Sequence, residues 1–173
     1  MPDLLPILKY PDPFLKRKTQ PVESVTAEIR ELAERMVETM FDAHGLGLAA
    51  TQVGLDLRMA VVSGKGERGD EIVVINPRIV EAWGSEALEE GCLSFPGVAA
   101  VITRKKGVRV AYKGLDGKEH EFESQDMLAR CCLHELDHLD GITFLAKMTP
   151  ADKLANRRAL RSLEENATRD PVA

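Results

Sequence analysis

The sequence His134-Glu135-Leu136-Asp137-His138 follows two apolar stretches, Met127-Leu128-Ala129 and Cys131-Cys132-Leu133. Two histidines four residues apart lie one turn apart on the same face of a helix, so both rings can reach a single metal ion. The glutamate between them would lie beside that ion, where it could take a proton from water. The apolar stretches predict a largely buried helix, and buried polar groups without partners are costly in free energy. A metal ion would satisfy all three side chains; a solvated helix face with ordinary charge pairs is the alternative interpretation.

A catalytic site of this kind usually takes three protein ligands and leaves one position for water. A third histidine, in the pattern H-E-x-x-H-x-x-G-x-x-H, is excluded because Phe144 stands where that histidine would be. A glutamate on a following helix, Glu164 or Glu165, could supply the third ligand, and so could a thiolate from the segment that contains Cys92. The pattern by itself leaves these alternatives open.

The three cysteines differ in their surroundings. Cys131 and Cys132 are adjacent in an apolar stretch, where buried free thiols are expected. Cys92 follows Glu90-Gly91, and glycine often marks a backbone that turns or approaches a neighbour closely. Beside an incomplete H-E-x-x-H site, this context favours a ligand role for Cys92. The odd number of cysteines, 3, argues against a disulfide framework.

A glycine-rich segment, His44-Gly45-Leu46-Gly47-Leu48-Ala49-Ala50-Thr51-Gln52, would let a ligand approach the backbone closely. It contains neither G-x-x-x-x-G-K-[ST] nor G-x-G-x-x-G, so it does not predict a phosphate-binding loop. Gly45 is instead predicted to cap a helix, with a strand after it. Gln52 would then be a polar donor beside an apolar strand, able to donate a hydrogen bond to a carbonyl oxygen.

Composition and length bound the other possibilities. With 173 residues, 44% of them hydrophobic and 29% charged, the chain is expected to form one domain over residues 1–173, with a loose tail from about residue 168. The net charge of −5 argues against general nucleic-acid affinity, including affinity for DNA. No membrane span is expected, because no apolar stretch reaches about 18 residues. The N-terminus has no basic region followed by an apolar core, so no signal peptide is expected. We expect a cytoplasmic protein with reduced thiols.

Periodicity predicts the order of the elements. Helices are expected at Val25–Ala43, Ser124–Leu139 and Pro150–Glu165. Strands are expected at Met59–Val62, Ile72–Asn76, Ile79–Trp83, Gly107–Tyr112 and Glu119–Glu123, with a turn at Asn76-Pro77 and a hairpin turn at Leu115–Lys118. Strands flanked by helices predict an α+β fold.

Three segments in order, Gly45–Gln52, Glu90–Ser94 and His134–His138, resemble the signature motifs of the peptide deformylase family. The resemblance extends from about Ile7 to Lys147. It departs from the family pattern at Leu133, where many members carry Gln, and at Ala99, in a stretch where some members carry Arg near the peptide cleft. Leu133 is not a ligand position, so it does not affect the expected metal binding, whereas the departure at Ala99 concerns contacts with the substrate backbone.

The resemblance implies removal of the formyl group from the N-terminal formyl-methionine of newly synthesised polypeptides. It implies a fold of antiparallel β-sheets packed around a central metal-binding helix, with an N-terminal and a C-terminal helix. The implied cofactor is one divalent metal ion per chain, Fe(II) in many members, with Zn(II), Ni(II) or Co(II) able to substitute. The implied partners are N-formylmethionyl nascent peptides.

The site residues implied by the resemblance fall into three groups. The metal ligands would be Cys92, His134 and His138. Glu135 would be the general base and then the acid, while the Gln52 amide and the Leu93 backbone N–H would stabilise the oxyanion. The substrate would contact Leu46, Gly47, Leu88 and Leu93, with Glu90 and Arg130 as further pocket or supporting residues.

Two basic stretches, Arg104-Lys105-Lys106 and Arg157–Arg161, are expected to be solvated surface. A basic C-terminal helix could also contact ribosomal RNA transiently. Two other functions stay in view: an endoprotease with Glu164 as third ligand, and a non-catalytic binding module stabilised by a metal. The segment Gly47–Gln52 weighs against both, because neither needs it.

Overall fold

The structure is a computed structural model that describes residues 2–169. Within this range the chain forms seven β-strands, four α-helices and three short 3-10 helices. The strands are β1 (Gly47–Ala49), β2 (Met59–Val62), β3 (Ile72–Trp83), β4 (Glu86–Glu90), β5 (Ala100–Arg104), β6 (Gly107–Lys113) and β7 (Glu119–Ser124). The helices are α1 (Ala27–Asp42), α2 (Met127–Leu139), α3 (Pro150–Ala155) and α4 (Arg157–Arg169).

The strands form two antiparallel sheets. The larger has five strands in the order β1-β2-β3-β6-β7, and the smaller is the pair β4-β5. Helix α2 crosses the larger sheet and contacts β1, β2, β6 and β7. This arrangement confirms the expected α+β fold, with antiparallel sheets around a central helix. None of the helices in the described part of the chain has the length and apolarity needed to cross a bilayer.

Helix α2 is buried because one of its faces is apolar. Ala129, Cys132, Leu136 and Leu139 recur at helical spacing and join the buried cluster formed with the valines of β2, β3 and β6. The expected start at Ser124 is too early, because Ser124 still pairs with Val108 as the last residue of β7. The burial of α2 rules out the solvated-face interpretation of the histidine pair.

Helix α1 ends on a left-handed residue, but this residue is His44 and not the predicted Gly45. His44 has a φ of 56°, its N–H donates to Phe41 O at 3.0 Å, and the N–H of Gly45 donates to Met40 O at 2.9 Å. Those two bonds satisfy carbonyls that the end of a helix leaves free. At the other end, the Thr26 hydroxyl accepts a hydrogen bond from the N–H of Ile29.

Strand β3 contains the two segments that the sequence predicted as separate strands. Its register shifts between Ile75 and Arg78, at the position of the predicted turn. There Asn76 has a φ of 50°, and its side chain holds both backbone groups of Val22: Oδ1 accepts from Val22 N and Nδ2 donates to Val22 O, each at 2.8 Å. The strand continues through this irregularity because the backbone of Val22 forms hydrogen bonds with the Asn76 side chain.

The smaller sheet was not predicted. Strand β4 has the sequence Glu-Ala-Leu-Glu-Glu, without the β-branched and aromatic residues that favour strands. Its conformation comes from pairing with β5, from Glu86 opposite Arg104 to Glu90 opposite Ala100. This sheet matters for the site because β4 ends at Glu90, two residues before Cys92.

The predicted final helix is two helices. Asn156 separates α3 from α4, and its side-chain amide donates to Asp152 O and to Ala99 O, each at 2.8 Å. Helix α4 packs Ala159, Leu160 and Leu163 against the cluster around Phe95 and Phe144. Thr168 and Arg169 are still helical, and the rest of the predicted tail lies outside the described residues.

We predict that Asn76→Ala lowers the free energy of unfolding by about 2–5 kcal/mol. The change removes two hydrogen bonds worth about 0.5–1.5 kcal/mol each and puts a left-handed φ on alanine, at roughly 1–2 kcal/mol more. Chemical denaturation measures the loss. Asn76→Gly is the control: it loses the same bonds without backbone strain, so it should be about 1 kcal/mol more stable than Asn76→Ala. Equal stabilities would show that φ at this position carries no strain.

Candidate metal and active site

Three side chains with metal-binding donor atoms converge where helix α2 faces the loop after strand β4. His134 and His138 come from α2, and Cys92 comes from that loop. The Cys92 Sγ lies 3.3 Å from His138 Nε2, which lies 3.2 Å from His134 Nε2. All three donor atoms are within 4.8 Å of one another. The fold therefore brings together the three residues that the resemblance implied as ligands.

The spacing of these atoms suits one divalent ion. For zinc, bonds are about 2.0–2.1 Å from an imidazole nitrogen and about 2.3 Å from a thiolate sulfur. Donor atoms in a tetrahedral arrangement at those lengths are roughly 3.3–3.6 Å apart. The separations in the protein, 3.3 Å from sulfur to nitrogen and 3.2 Å between nitrogens, are close to these values. Donor type and donor spacing both fit a metal ion.

The competing third ligand lies elsewhere. Glu164 is on α4, and its Oε1 accepts a hydrogen bond from the Tyr10 hydroxyl at 2.6 Å. Neither Glu164 nor Glu165 belongs to the group of donor atoms around the two histidines. Of the two alternatives that the sequence left open, the geometry favours Cys92.

Glu90 lies behind His134 at the centre of a buried polar network. Its Oε1 accepts from His134 Nδ1 at 2.9 Å and from Arg104 Nη2 at 3.0 Å, while its Oε2 accepts from Arg104 Nε at 2.6 Å and from Arg130 Nη1 at 2.5 Å. Burial would raise the pKa of Glu90, but the hydrogen bonds from His134 and Arg104 outweigh it and lower the pKa to about 2. The carboxylate thus accepts the Nδ1 proton of His134 and leaves Nε2 free to bind a metal.

Glu135 faces the same cleft from α2 and is only 4% exposed. Its Oε2 has no hydrogen-bond partner in the described part of the chain. Burial raises the pKa of Glu135 to about 7, against the lowering effect of His134 and Arg104 nearby. A carboxyl group with a pKa near neutrality can both accept and return a proton at physiological pH.

Strand β1 lies directly against Glu135. A Cβ built on Gly47 would lie 2.5 Å from Glu135 Oε1 and 2.8 Å from Cys131 Sγ. Only glycine allows the backbone to come this close. This contact accounts for the second glycine of the motif.

The Gln52 side chain is held at both ends of its amide. Its Oε1 accepts from the N–H of Ala49 at 2.9 Å, and its Nε2 donates to Ser94 Oγ at 3.1 Å. The same Nε2 lies 3.7 Å from Cys92 Sγ, and the residue is 1% exposed. The amide is therefore anchored beside the donor cluster with its NH2 group directed towards it, as a hydrogen-bond donor to a bound carbonyl would require.

A cleft of about 450 Å³ opens over these groups. Of the predicted substrate-binding residues, the cleft is lined by Leu46, Gly47, Glu90, Leu93 and Arg130. Leu88 is not among the lining residues; it lies on β4 with 38% of its surface exposed. Residues not predicted from the sequence also line the cleft, among them Met127, Cys131, Phe95 and Val98. Met127 and Cys131 precede Glu135 at intervals of four, so helical spacing from Glu135 could have identified them.

The two departures from the family pattern lie outside the donor cluster. Leu133 is half-buried against the core cluster of α2 and the larger sheet. Ala99 is held through its backbone, because its N–H donates to Asn156 Oδ1 at 3.3 Å and its carbonyl accepts from Asn156 Nδ2 at 2.8 Å. Neither residue belongs to the group of donor side chains formed by Cys92, His134 and His138.

The comparisons with known proteins agree with one another. The family model described as polypeptide deformylase matches residues 4–154. The peptide deformylase of Stenotrophomonas maltophilia is 41% identical over 160 residues, with 91% of this chain and 94% of that protein covered. The peptide deformylase of Chlorobaculum parvum is 42% identical, with 98% of this chain and 94% of that protein covered.

Solved structures are similar over nearly the whole chain. A crystal structure of a peptide deformylase from Legionella pneumophila has a TM-score of 0.89 at 36% identity and covers 98% of this chain and 100% of its own. The peptide deformylase of Plasmodium falciparum has a TM-score of 0.92 at 32% identity and covers 97% of this chain and 100% of its own.

We predict that iodoacetamide labels one of the three cysteines in the folded, metal-free protein, and that this cysteine is Cys92. Cys131 and Cys132 are buried; burial raises the pKa of Cys132 to about 12 and that of Cys131 well above its usual value, so neither supplies the reactive thiolate. Peptide mapping by mass spectrometry identifies the labelled residue. Cys92→Ala should remove the fast reaction, and urea should expose all three thiols. Equal labelling of all three in the folded protein would contradict the prediction.

Proposed function

Given that the chain belongs to the polypeptide deformylase family, we propose that Cys92, His134 and His138 hold its metal ion and that Glu135 moves the proton in its reaction. The protein is a metal-dependent hydrolase that removes the N-formyl group from nascent polypeptides. The observation that carries the residue assignment is the convergence of one thiol, two imidazoles, a buried carboxyl group and an anchored amide in a single cleft.

The reaction adds water to the formyl carbon and breaks the bond between that carbon and the methionine nitrogen. A divalent ion held by Cys92, His134 and His138 would supply Lewis-acid activation and would lower the pKa of water to about 7. Glu135 takes the proton of the attacking water and passes it to the leaving amine. The products are formate and a free N-terminus.

Negative charge develops on the formyl oxygen as water attacks. The amide NH2 of Gln52 and the backbone N–H of Leu93 donate hydrogen bonds to that oxygen. Gln52 needs no rearrangement because the N–H of Ala49 already fixes its amide. One such donor lowers the barrier by about 2.7–4 kcal/mol.

The apolar walls of the cleft accommodate the methionine side chain and the following peptide backbone. Leu46 and Leu93 contribute side chains to this surface, and Gly47 leaves room for the peptide at β1. Leu88 would contact the peptide only beyond the cleft, from β4. Glu90 and Arg130 contribute to substrate binding indirectly, by supporting His134 and the wall of the cleft.

The physiological metal is proposed to be Fe(II), with Zn(II), Ni(II) or Co(II) able to substitute. A site with one thiolate and two imidazoles offers the ligand types that these ions accept. Fe(II) and thiolate are both easily oxidised, so the proposal places the enzyme in the reducing cytoplasm, where its nascent substrates are made.

Residues 1–173 are proposed to form one catalytic domain. This is supported by α2, which packs on the larger sheet through its apolar face and bonds to the smaller sheet through Arg130 and His134.

We predict that Glu135→Gln lowers formate release from formyl-Met-Ala-Ser by about 10²–10⁴-fold, because it removes the proton-transfer group. The variant should still bind one metal ion per chain. Anaerobically purified protein loaded with Ni(II) or Fe(II) is the sample, and released formate is the measurement.

Glu164→Gln is the matched control, because Glu164 is bonded to Tyr10 away from the donor cluster; its activity should equal that of the wild type. Formate release by Glu135→Gln at the wild-type rate would overturn the role of Glu135. If the wild type cleaves internal peptide bonds and Glu164→Gln loses the metal ion, the endoprotease alternative would be favoured instead.

Transient ribosome contact through α4 is also proposed, because Arg157, Arg158 and Arg161 are exposed on this helix. We predict that replacing all three by glutamine reduces cosedimentation with ribosomes, while release of formate from the tripeptide is unchanged. The control replaces three exposed cations elsewhere, Arg78, Lys105 and Lys106. Equal cosedimentation of the two triple variants would exclude a specific role for α4.

A further inference from the structure

The basic stretch Arg104-Lys105-Lys106 is not uniformly solvated, contrary to the expectation from sequence. The residues of β5 alternate between buried and exposed, with Ala100, Ile102 and Arg104 pointing inward. The Arg104 side chain is 4% exposed, whereas Lys105 and Lys106 are exposed. A guanidinium ion at this depth must be paired to be tolerated, so its partners define its role.

Arg104 bridges two carboxylates that belong to different elements. Its Nε and Nη2 donate to the carboxylate of Glu90 at 2.6 and 3.0 Å, and its Nη1 donates to Asp137 Oδ2 at 2.7 Å. Glu90 is the last residue of β4, and Asp137 lies in α2. One planar guanidinium therefore connects the smaller sheet to the central helix.

The two carboxylates lie next to the proposed metal ligands in sequence. Glu90 precedes Cys92 by two residues, and Asp137 immediately precedes His138. Glu90 also accepts from Nδ1 of His134 at 2.9 Å. The ends of the Arg104 bridge are thus anchored beside the thiolate on one element and beside the imidazoles on the other.

We propose that Arg104 is a positioning residue that sets the separation between the Cys92 thiolate and the two imidazoles. The proposal rests on the ligand assignment made above. Arg130 provides a second link from α2 to Glu90, but it starts one turn before His134 and does not contact Asp137. Arg104 differs from Arg130 in that its guanidinium pairs with both carboxylates, Glu90 and Asp137.

The substitution Arg104→Lys distinguishes a positioning role of Arg104 from simple neutralisation of charge. Lysine keeps the positive charge, but its single ammonium group cannot reproduce the planar fork that bonds Glu90 twice and Asp137 once. If Arg104 served only to neutralise buried carboxylates, Arg104→Lys would behave like the wild type. If Arg104 positions the ligands, Arg104→Lys should be impaired nearly as much as Arg104→Gln.

Co(II) binding to the folded protein tests this. Competition with a chelator gives the dissociation constant, and the visible absorption of Co(II), including its charge-transfer band from thiolate, reports ligand geometry. We expect Arg104→Lys and Arg104→Gln to bind Co(II) about 10–100-fold more weakly than the wild type, with altered spectra. Asp137→Asn, which weakens one arm of the bridge, should have an intermediate effect and serves if Arg104→Gln does not fold.

Arg58→Gln is the matched control. Arg58 also pairs with a carboxylate at the end of α2, through Nη1 and Asp140 Oδ1 at 2.7 Å, but it has no bond to Glu90. Its Co(II) affinity and spectrum should equal those of the wild type. Unfolding of each metal-free variant is measured in parallel, since a general loss of stability would lower the unfolding midpoint without changing the spectrum of folded protein.

Two other outcomes are informative. Wild-type affinity and spectrum in Arg104→Lys would overturn the positioning role while leaving the ligand assignment intact. A wild-type protein whose Co(II) spectrum has no thiolate band, and is unchanged in Cys92→Ala, would overturn the ligand assignment and this proposal with it.

Discussion

The site depends on one buried carboxylate, that of Glu90. It lies on β4 and accepts hydrogen bonds from two arginines and one histidine, Arg104 of β5 and Arg130 and His134 of α2. Burying charged groups carries a large desolvation penalty, and excellent geometry is needed to offset it. Such a network therefore adds little to net stability. Its effect is to make one arrangement of the smaller sheet, the central helix and the Cys92 loop more favourable than others.

Helix α2 contributes residues both to the hydrophobic core and to the active site, and helical periodicity places these two sets on different faces of the helix. Ala129, Cys132, Leu136 and Leu139 face the larger sheet. The rows Arg130-His134-His138 and Met127-Cys131-Glu135 face the smaller sheet and the cleft. The apolar face anchors the helix, so the polar rows are presented to the site without rearrangement. The same burial raises the pKa of Glu135 to about 7, so the packing that holds the helix also adjusts the chemistry of its carboxyl group.

The glycine-rich segment completes the site through its backbone. Strand β1 passes so close to Glu135 and Cys131 that any side chain at Gly47 would collide with them. The chain then turns into a short 3-10 helix, and Gln52 bonds back to the N–H of Ala49. The close approach of the Gly47 backbone to Glu135 and the fixed position of the Gln52 amide therefore both result from one local conformation. This conformation explains why the segment is rich in small residues.

Much of this protein follows from its sequence alone. The histidine pair on one helix face, strand β2 and the hairpin of β6 and β7 were all predicted, because hydrophobic periodicity and turn residues act over a few neighbours. Strand β4 was not predicted, since Glu86–Glu90 lacks the residues that favour strands and becomes a strand by pairing with β5. Strand β5 was also missed, although its sequence Ala-Val-Ile-Thr-Arg does contain such residues. Asn76 was predicted to interrupt the chain, but Val22, which is distant in sequence, satisfies it within one strand. The burial of Arg104 and the short distance between Cys92 and His138 are likewise determined by tertiary packing. Arg104 and His134 are 30 residues apart in sequence, and Cys92 and His138 are 46 residues apart. Contacts between segments this distant depend on the free energy of packing the whole fold, which no local sequence pattern encodes.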